Sequence, residues 1–188
     1  MPSQTLRTNV FGSRSALGRL VLRCALCVAL LALSSAVYAQ QDERLVAANK
    51  TLTDSAALIG QDNQERFPAM IARLEEARKV YQERGSKTYE AFAALPIGRL
   101  YSEMKEQQKA VPYLEASLAL WREAGEKNGE ATTLAGLGRA YSLRSEKRRA
   151  ADAYQQAVTL FEAVDNRSSL ASVLDRVAAA YNFLGERE

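Results

Sequence analysis

The sequence predicts an all-α protein in which antiparallel helical hairpins stack one on the next. From Asp42 onward, apolar residues recur at spacings of three and four, without runs of β-branched residues. Glycine and proline number only 10 and 4, whereas an all-β protein needs many turns. The chain also resembles itself at an offset of 40 residues, which is typical of a helical repeat array.

The first element is a segment unlike the rest of the chain. A basic stretch ending at Arg23 precedes an apolar stretch from Cys24 to Leu33, and small residues follow up to Ala39. This order predicts a secretory signal peptide over 1–39, cleaved after Ala39, in a periplasmic or secreted protein. The alternative is an uncleaved anchor, the one case in which we expect membrane contact. The apolar stretch is shorter than the roughly 20 residues of a spanning helix.

Two properties of the whole chain belong to this leader. Cys24 and Cys27 have C-x-x-C spacing, but both lie in the apolar stretch, so we interpret them as leader residues. The leader also holds four arginines and no acidic residue, and the rest of the chain has 21 basic against 22 acidic residues. The positive net charge therefore does not indicate a nucleic-acid binder, and we expect no nucleic-acid partner.

The repeat is visible as columns of matching residues 40 positions apart. Each column keeps its residue type over three units. The clearest columns are Tyr101, Tyr141 and Tyr181; Ile97, Leu137 and Val177; Gly98, Gly138 and Ala178; and Tyr81, Trp121 and Phe161. The phase of the tyrosines with the glycines predicts packing between hairpins rather than stacking on bases. We expect the glycines to allow close contact between paired helices.

The pattern predicts helices at 42–59, 67–84, 88–103, 107–124, 128–143, 147–163 and 168–184. The repeat domain covers 40–188, with units at about 42–87, 88–127 and 128–167 and a half-unit at 168–188.

The residue types give little support to catalysis. The chain has no histidine, and no cysteine outside the leader, which removes the usual general base, thiol nucleophiles and most metal ligands. The carboxylates fall on predicted helix surfaces and turns, where nothing apolar raises their pKa values. We therefore predict a protein that is not an enzyme and binds no cofactor or metal.

The residues Leu137-Gly138-Arg-Ala-Tyr141, followed by Ala150, Tyr154 and Ala157, resemble the tetratricopeptide repeat (TPR). The resemblance covers about 67–188, and 42–66 more weakly. It implies a right-handed α-solenoid, and the period of 40 resembles the longer variety of a repeat that usually has about 34 residues. It further implies a concave groove, lined by the first helix of each hairpin, that holds a protein or peptide partner.

The resemblance assigns groove residues in three successive units. They are Phe92, Leu95, Arg99, Ser102 and Glu103; then Thr132, Ala135, Arg139, Ser142 and Leu143; and then Ser172, Asp175, Ala179, Asn182 and Phe183.

Arg99 and Arg139 occupy equivalent positions and allow two interpretations. They bind a carboxylate or an acidic segment of the partner, or Arg99 pairs with Glu103 four residues on. A dedicated carboxylate clamp is not expected, because Leu95 and Ala135 stand where its second basic residues would lie.

The last predicted helix has no partner helix after it. Its apolar residues therefore predict self-association, or docking of a partner, through Val173, Leu174, Val177 and Tyr181. The leading hypothesis is an exported scaffold, an adaptor or assembly factor of the cell envelope, that binds a partner in its groove. The alternative is a structural or regulatory module that self-associates, or docks on a membrane complex, through this open end.

Overall fold

The computed structural model describes residues 40, 43–59 and 64–184, apart from the side chains of Phe183 and Leu184. The predicted leader lies outside these residues. The chain divides into two units at residue 43, and the helical hairpins belong to the second unit, Arg44–Glu188. Within the described residues the chain is helical, without a strand. The helices are α1 (43–58), α2 (Phe67–Glu83), α3 (Lys87–Glu103), α4 (Gln107–Ala124), α5 (Lys127–Leu143), α6 (Lys147–Ala163) and α7 (Arg167–Leu184).

The predicted fold class and helix positions are confirmed, since each helix ends within one residue of its predicted bounds. From α2 onward, each helix packs on its neighbours in the chain, most extensively within the pairs α3–α4 and α5–α6. Smaller contacts join α3 to α5 and α5 to α7. The first helices of successive hairpins therefore form one continuous face, to which we refer as the first-helix face.

The helices begin at a fixed spacing. From α2 to α7 they start at Phe67, Lys87, Gln107, Lys127, Lys147 and Arg167, which are 20 residues apart. A residue with positive φ recurs at the same spacing in the turns between them: Gly85, Lys105, Gly125, Ser145 and Asp165. A left-handed residue ends a helix by turning the chain and satisfying the last carbonyl groups. Three of these turns use a residue with a Cβ, which makes that conformation costly.

The glycine columns do bring helices together, as the sequence predicts. A Cβ placed on Gly98 would lie 2.7 Å from Cγ of Leu114 in α4, and one on Gly138 would lie 2.6 Å from Cδ1 of Tyr154 in α6. Leu114 and Tyr154 are themselves an equivalent pair in the repeat, and both are buried. The small residue of each first helix thus accommodates the large residue of the second.

The aromatic columns are also packing residues. Trp121 is buried, and so are Tyr81 and Phe161 at the equivalent positions. Tyr141 is buried; its hydroxyl donates to Glu115 at 3.0 Å, and the Arg149 guanidinium lies 4.1 Å from its ring centre. These rings are therefore not available as a stacking surface for bases.

The last helix uses most of its apolar stripe to pack on the preceding hairpin. Val173 is buried, and Val177 and Tyr181 pack on the core formed by α4, α5 and α6. Leu174 faces outward and is 47% exposed. Of the four residues predicted for self-association, Leu174 is thus the one whose side chain the fold leaves largely in solvent.

Candidate functional site: a cavity on the first-helix face

A cavity of about 320 Å³ opens on the first-helix face. We refer to it as the arginine cavity. Residues of α3, α5 and α7 line it, with Phe161 of α6 also at its wall: Arg99, Ser102, Thr132, Ala135, Gly136, Arg139, Phe161, Ser168, Ser169, Ser172, Val173 and Arg176. The stacking of two hairpins and α7 therefore builds a concave site from residues far apart in sequence.

Arg139 and Glu103 form a bidentate salt bridge at this cavity. The two guanidinium nitrogens of Arg139 donate to the two carboxylate oxygens of Glu103, at 2.6 and 3.1 Å. Both side chains are partly buried, and the paired geometry fixes the Arg139 head group against α3. Of the two interpretations of Arg99, its pairing with Glu103 is not present as an ion pair. The carboxylate binds Arg139 one repeat further on and acts on Arg99 only through its charge.

Arg99 and Arg176 have no carboxylate partner within the described residues. Arg99 forms no hydrogen bond or ion pair there, and Arg176 donates a hydrogen bond to the neutral hydroxyl of Tyr154. Burial among neighbouring groups lowers the pKa of Arg99, although part of its side chain reaches solvent. The charge of Arg139 lowers this pKa further, Glu103 opposes the shift, and Arg176 adds to it. An arginine stays protonated at neutral pH, so the cavity carries uncompensated positive charge.

Hydroxyl groups complete the wall of the cavity. Ser102 is 4% exposed, and its hydroxyl has no hydrogen-bond partner among the described residues. Ser169 and Ser172 also donate no side-chain hydrogen bond there, whereas the hydroxyls of Thr132 and Ser168 donate to Asn128 and Asn166. The hydroxyl protons of Ser169 and Ser172 are therefore available to a bound acceptor, whereas the Ser102 hydroxyl is buried beneath the wall.

An exposed aromatic cluster lies on α3, two turns before Arg99. Phe92 is 47% exposed, and its ring meets that of Trp121 in a T-shaped contact at a centroid distance of 4.6 Å. Tyr89, also exposed, lies 6.2 Å from Phe92 and stacks on Tyr81 at 5.2 Å. Packing on Trp121 fixes the Phe92 ring while leaving much of it in solvent, which suits an apolar anchor for a partner.

The structure brings some of the predicted groove residues together and separates others. Arg99, Ser102, Thr132, Ala135, Arg139 and Ser172 line the arginine cavity, and Glu103 holds one of its arginines. Leu95 packs on the core, and Phe92 belongs to the aromatic cluster. Exposed residues outside the cavity are Ser142, Leu143, Asp175, Ala179 and Asn182. The side chain of Phe183 is outside the described residues.

Arg176, Ser168 and Ser169 line the cavity but were not predicted from the sequence. Arg176 does not match the column of Arg99 and Arg139, which continues at Ala179. It lies one helical turn after Ser172, so counting along the helix face, rather than along the repeat, would have found it.

The described part of the chain offers little that points to other chemistry. It contains no group of three or more histidine, cysteine, aspartate or glutamate side chains placed to hold a metal ion. None of its helices combines the length and apolar character needed to cross a bilayer.

The fold and its concave site are those of an all-helical repeat protein of the scaffold type. The family model described as tetratricopeptide repeat matches residues 90–163, from the first turn of α3 to the end of α6. This match supports a TPR family, whose repeats generally mediate protein–protein interaction and are typically not enzymes. No curated protein matches the chain significantly.

Proposed function

We propose that this protein is an exported scaffold, an adaptor or assembly factor of the cell envelope, that binds a protein or peptide partner along its first-helix face. The observation that carries the proposal is the combination on α3 of an exposed anchor, Phe92, with the charged wall of the arginine cavity. Export rests on the leader over 1–39, whose basic, apolar and small-residue segments follow the order of a signal peptide.

The two features on α3 are spaced for an extended peptide. Phe92 and Arg99 are seven residues apart, which is about 10 Å along a helix at roughly 1.5 Å per residue. An extended chain advances about 3.3 Å per residue, so three residues span the same distance. The favoured ligand is therefore a segment with an apolar side chain and, about three positions away, an acidic one.

The experiment is affinity purification of the tagged protein from its own cells, followed by mass spectrometry. Phe92→Ala should lose the partner, because the exposed ring is the apolar anchor. Val46→Ala is the matched control: it also shortens an exposed apolar side chain, but on α1 and outside both the aromatic cluster and the arginine cavity. Equal recovery of the partner by the wild-type and Phe92→Ala proteins would contradict the proposed groove.

The alternative function has one specific observation in its favour, the outward-facing Leu174 on α7. In a module that self-associates or docks on a membrane complex through its last helix, this residue would lie in the interface. Sedimentation of the wild-type chain at high concentration should then show a dimer that Leu174→Glu converts to a monomer. A wild-type monomer would argue against self-association and leave the groove as the binding surface.

A further inference from the structure

The arginine cavity carries more positive charge than its own residues neutralise. Three guanidinium groups, from Arg99, Arg139 and Arg176, face one carboxylate, that of Glu103, which leaves two positive charges. Asp175 precedes Arg176 in the chain but does not line the cavity. Arg99 and Arg176 are exposed, so water and salt screen part of the repulsion among the three guanidinium groups. A bound anion would neutralise the charge that remains.

The positions of the charged and hydroxyl groups suit a compact oxyanion. Arg99 and Arg176 come from α3 and α7, the outer helices of the cavity, while the Arg139–Glu103 pair lies between α5 and α3. Ser102 lines the cavity from α3, and Ser169 and Ser172 line it from α7. Guanidinium and hydroxyl donors would therefore approach a ligand from opposite walls, and only a group with several acceptor oxygens can use them together.

Charge and size narrow the class of ligand. A phosphate monoester carries about two negative charges at neutral pH and three strong acceptor oxygens, which matches the two guanidinium groups that lack a carboxylate. The Tyr154 hydroxyl occupies only part of the donor set of Arg176, because a guanidinium group has several N–H donors. A single carboxylate would leave one positive charge uncompensated. The cavity of about 320 Å³ lies at the lower end of ligand pockets, so it admits a small molecule rather than a large cofactor.

We propose that the arginine cavity is a binding site for a small phosphate monoester, with Arg99 and Arg176 as its charged contacts and the hydroxyls of Ser169 and Ser172 as additional donors. Arg99 is shared with the groove of the proposed function, but Phe92, the anchor for the protein partner, does not line the cavity. Loss of the partner in Phe92→Ala and loss of the phosphate monoester in Arg176→Gln therefore test the two proposals separately. The Arg139–Glu103 pair sets the number of positive charges left for the ligand. Glu103 neutralises Arg139 and holds its guanidinium group in the wall of the cavity.

The test is isothermal titration of the purified chain with glycerol 3-phosphate, inorganic phosphate, succinate and acetate. Saturable binding of glycerol 3-phosphate, tighter than that of succinate or acetate, supports the proposal. If inorganic phosphate binds more tightly than the ester, the free ion is the ligand, and the proposal of a phosphate monoester is overturned. No saturable binding of glycerol 3-phosphate at millimolar concentration, or equal affinity for succinate, overturns the phosphoryl site.

Three variants locate the binding. Arg99→Gln and Arg176→Gln should each lower the affinity for glycerol 3-phosphate by about tenfold or more. This is the effect expected from the loss of one charge-assisted hydrogen bond. Glu103→Gln should raise the affinity severalfold, because Arg139 loses its carboxylate partner and can contact the phosphate. A merely structural role for the ion pair would not predict a gain. Circular dichroism confirms that each variant is folded.

Two control variants separate this site from general charge effects and from the proposed groove. Arg122→Gln removes the same charge from α4, where Arg122 pairs with Glu130, and should leave phosphate binding unchanged. Phe92→Ala should also leave it unchanged, since Phe92 does not line the cavity. A loss in Arg122→Gln equal to that in Arg99→Gln would show non-specific attraction and overturn the site.

Discussion

Gly138→Ala tests whether close helix contact, rather than helix propensity, decides the residue at this position. Gly138 lies inside α5, and a Cβ there would stand 2.6, 2.7 and 2.9 Å from three ring atoms of Tyr154. The ring is only 3% exposed, so it has little room to move away. Alanine gains about 1 kcal/mol in helix propensity. Overpacking of a rigid, buried neighbour costs roughly 1–3 kcal/mol, and the three short contacts favour the upper end of that range.

We therefore expect Gly138→Ala to lower the free energy of unfolding by about 1–2 kcal/mol, the difference between the two effects. Gly136→Ala is the matched control, two residues earlier in the same helix. Its Cβ would lie 3.3 Å from a methyl carbon at the end of the Leu114 side chain, which can shift by a few tenths of an ångström. The propensity term then dominates, and the variant should be as stable as the parent or more stable by up to about 1 kcal/mol.

Urea unfolding followed by far-UV circular dichroism measures both variants. The slope with denaturant must be the same for the three proteins, so that a shift of the midpoint reports stability alone. A Gly138→Ala protein as stable as the parent would refute the packing argument. Destabilisation of both variants to the same extent would show that α5 resists any side chain there, whatever its neighbour.

Three other features of the fold can be tested separately: a costly turn, a late-titrating phenol and a helix cap. Ser145→Gly should stabilise the protein by about 1 kcal/mol in the same urea assay, since Ser145 has a φ of 61° and glycine adopts that conformation without a Cβ clash. Tyr113 donates its hydroxyl to Glu75, which, with burial, raises its pKa to about 12. The resulting stability is present below pH 10 and is lost as pH rises towards 12, and ultraviolet titration of the wild type against Tyr113→Phe should show this late-titrating phenol. Asn166→Ala should cost about 1 kcal/mol and raise amide exchange in the first turn of α7, because the Asn166 side chain accepts the backbone N–H of Ser169 at 3.2 Å.

The sequence was sufficient to predict the helices because one signal was repeated in phase. Apolar spacing set the helix faces, and the columns at an offset of 40 residues showed which helices are equivalent. The glycine column even indicated the close contacts that the structure shows at Leu114 and Tyr154. The turns were less apparent, because Lys105 and Ser145 adopt a positive φ that the sequence pattern does not require of them.

The site was predicted only in part, since a repeat pattern describes what successive units share. Arg99 and Arg139 were found because they are equivalent, but their environments differ: Arg139 is paired with Glu103 and Arg99 is not. Arg176 has no equivalent and was not assigned. The pairing of Glu103 depends on the rotation between neighbouring hairpins, which local spacing along one helix does not determine.

The contacts between α3, α5 and α7 have a consequence for local unfolding. Each described helix packs mainly on its neighbours in the chain, so an array of this kind opens from its ends, and α7 is attached chiefly through α6. A ligand in the arginine cavity would touch α3, α5 and α7 at once and would join two hairpins and the last helix directly. Its occupancy should therefore slow amide hydrogen exchange most in α7 and convert stepwise fraying of the last hairpins into a single cooperative opening.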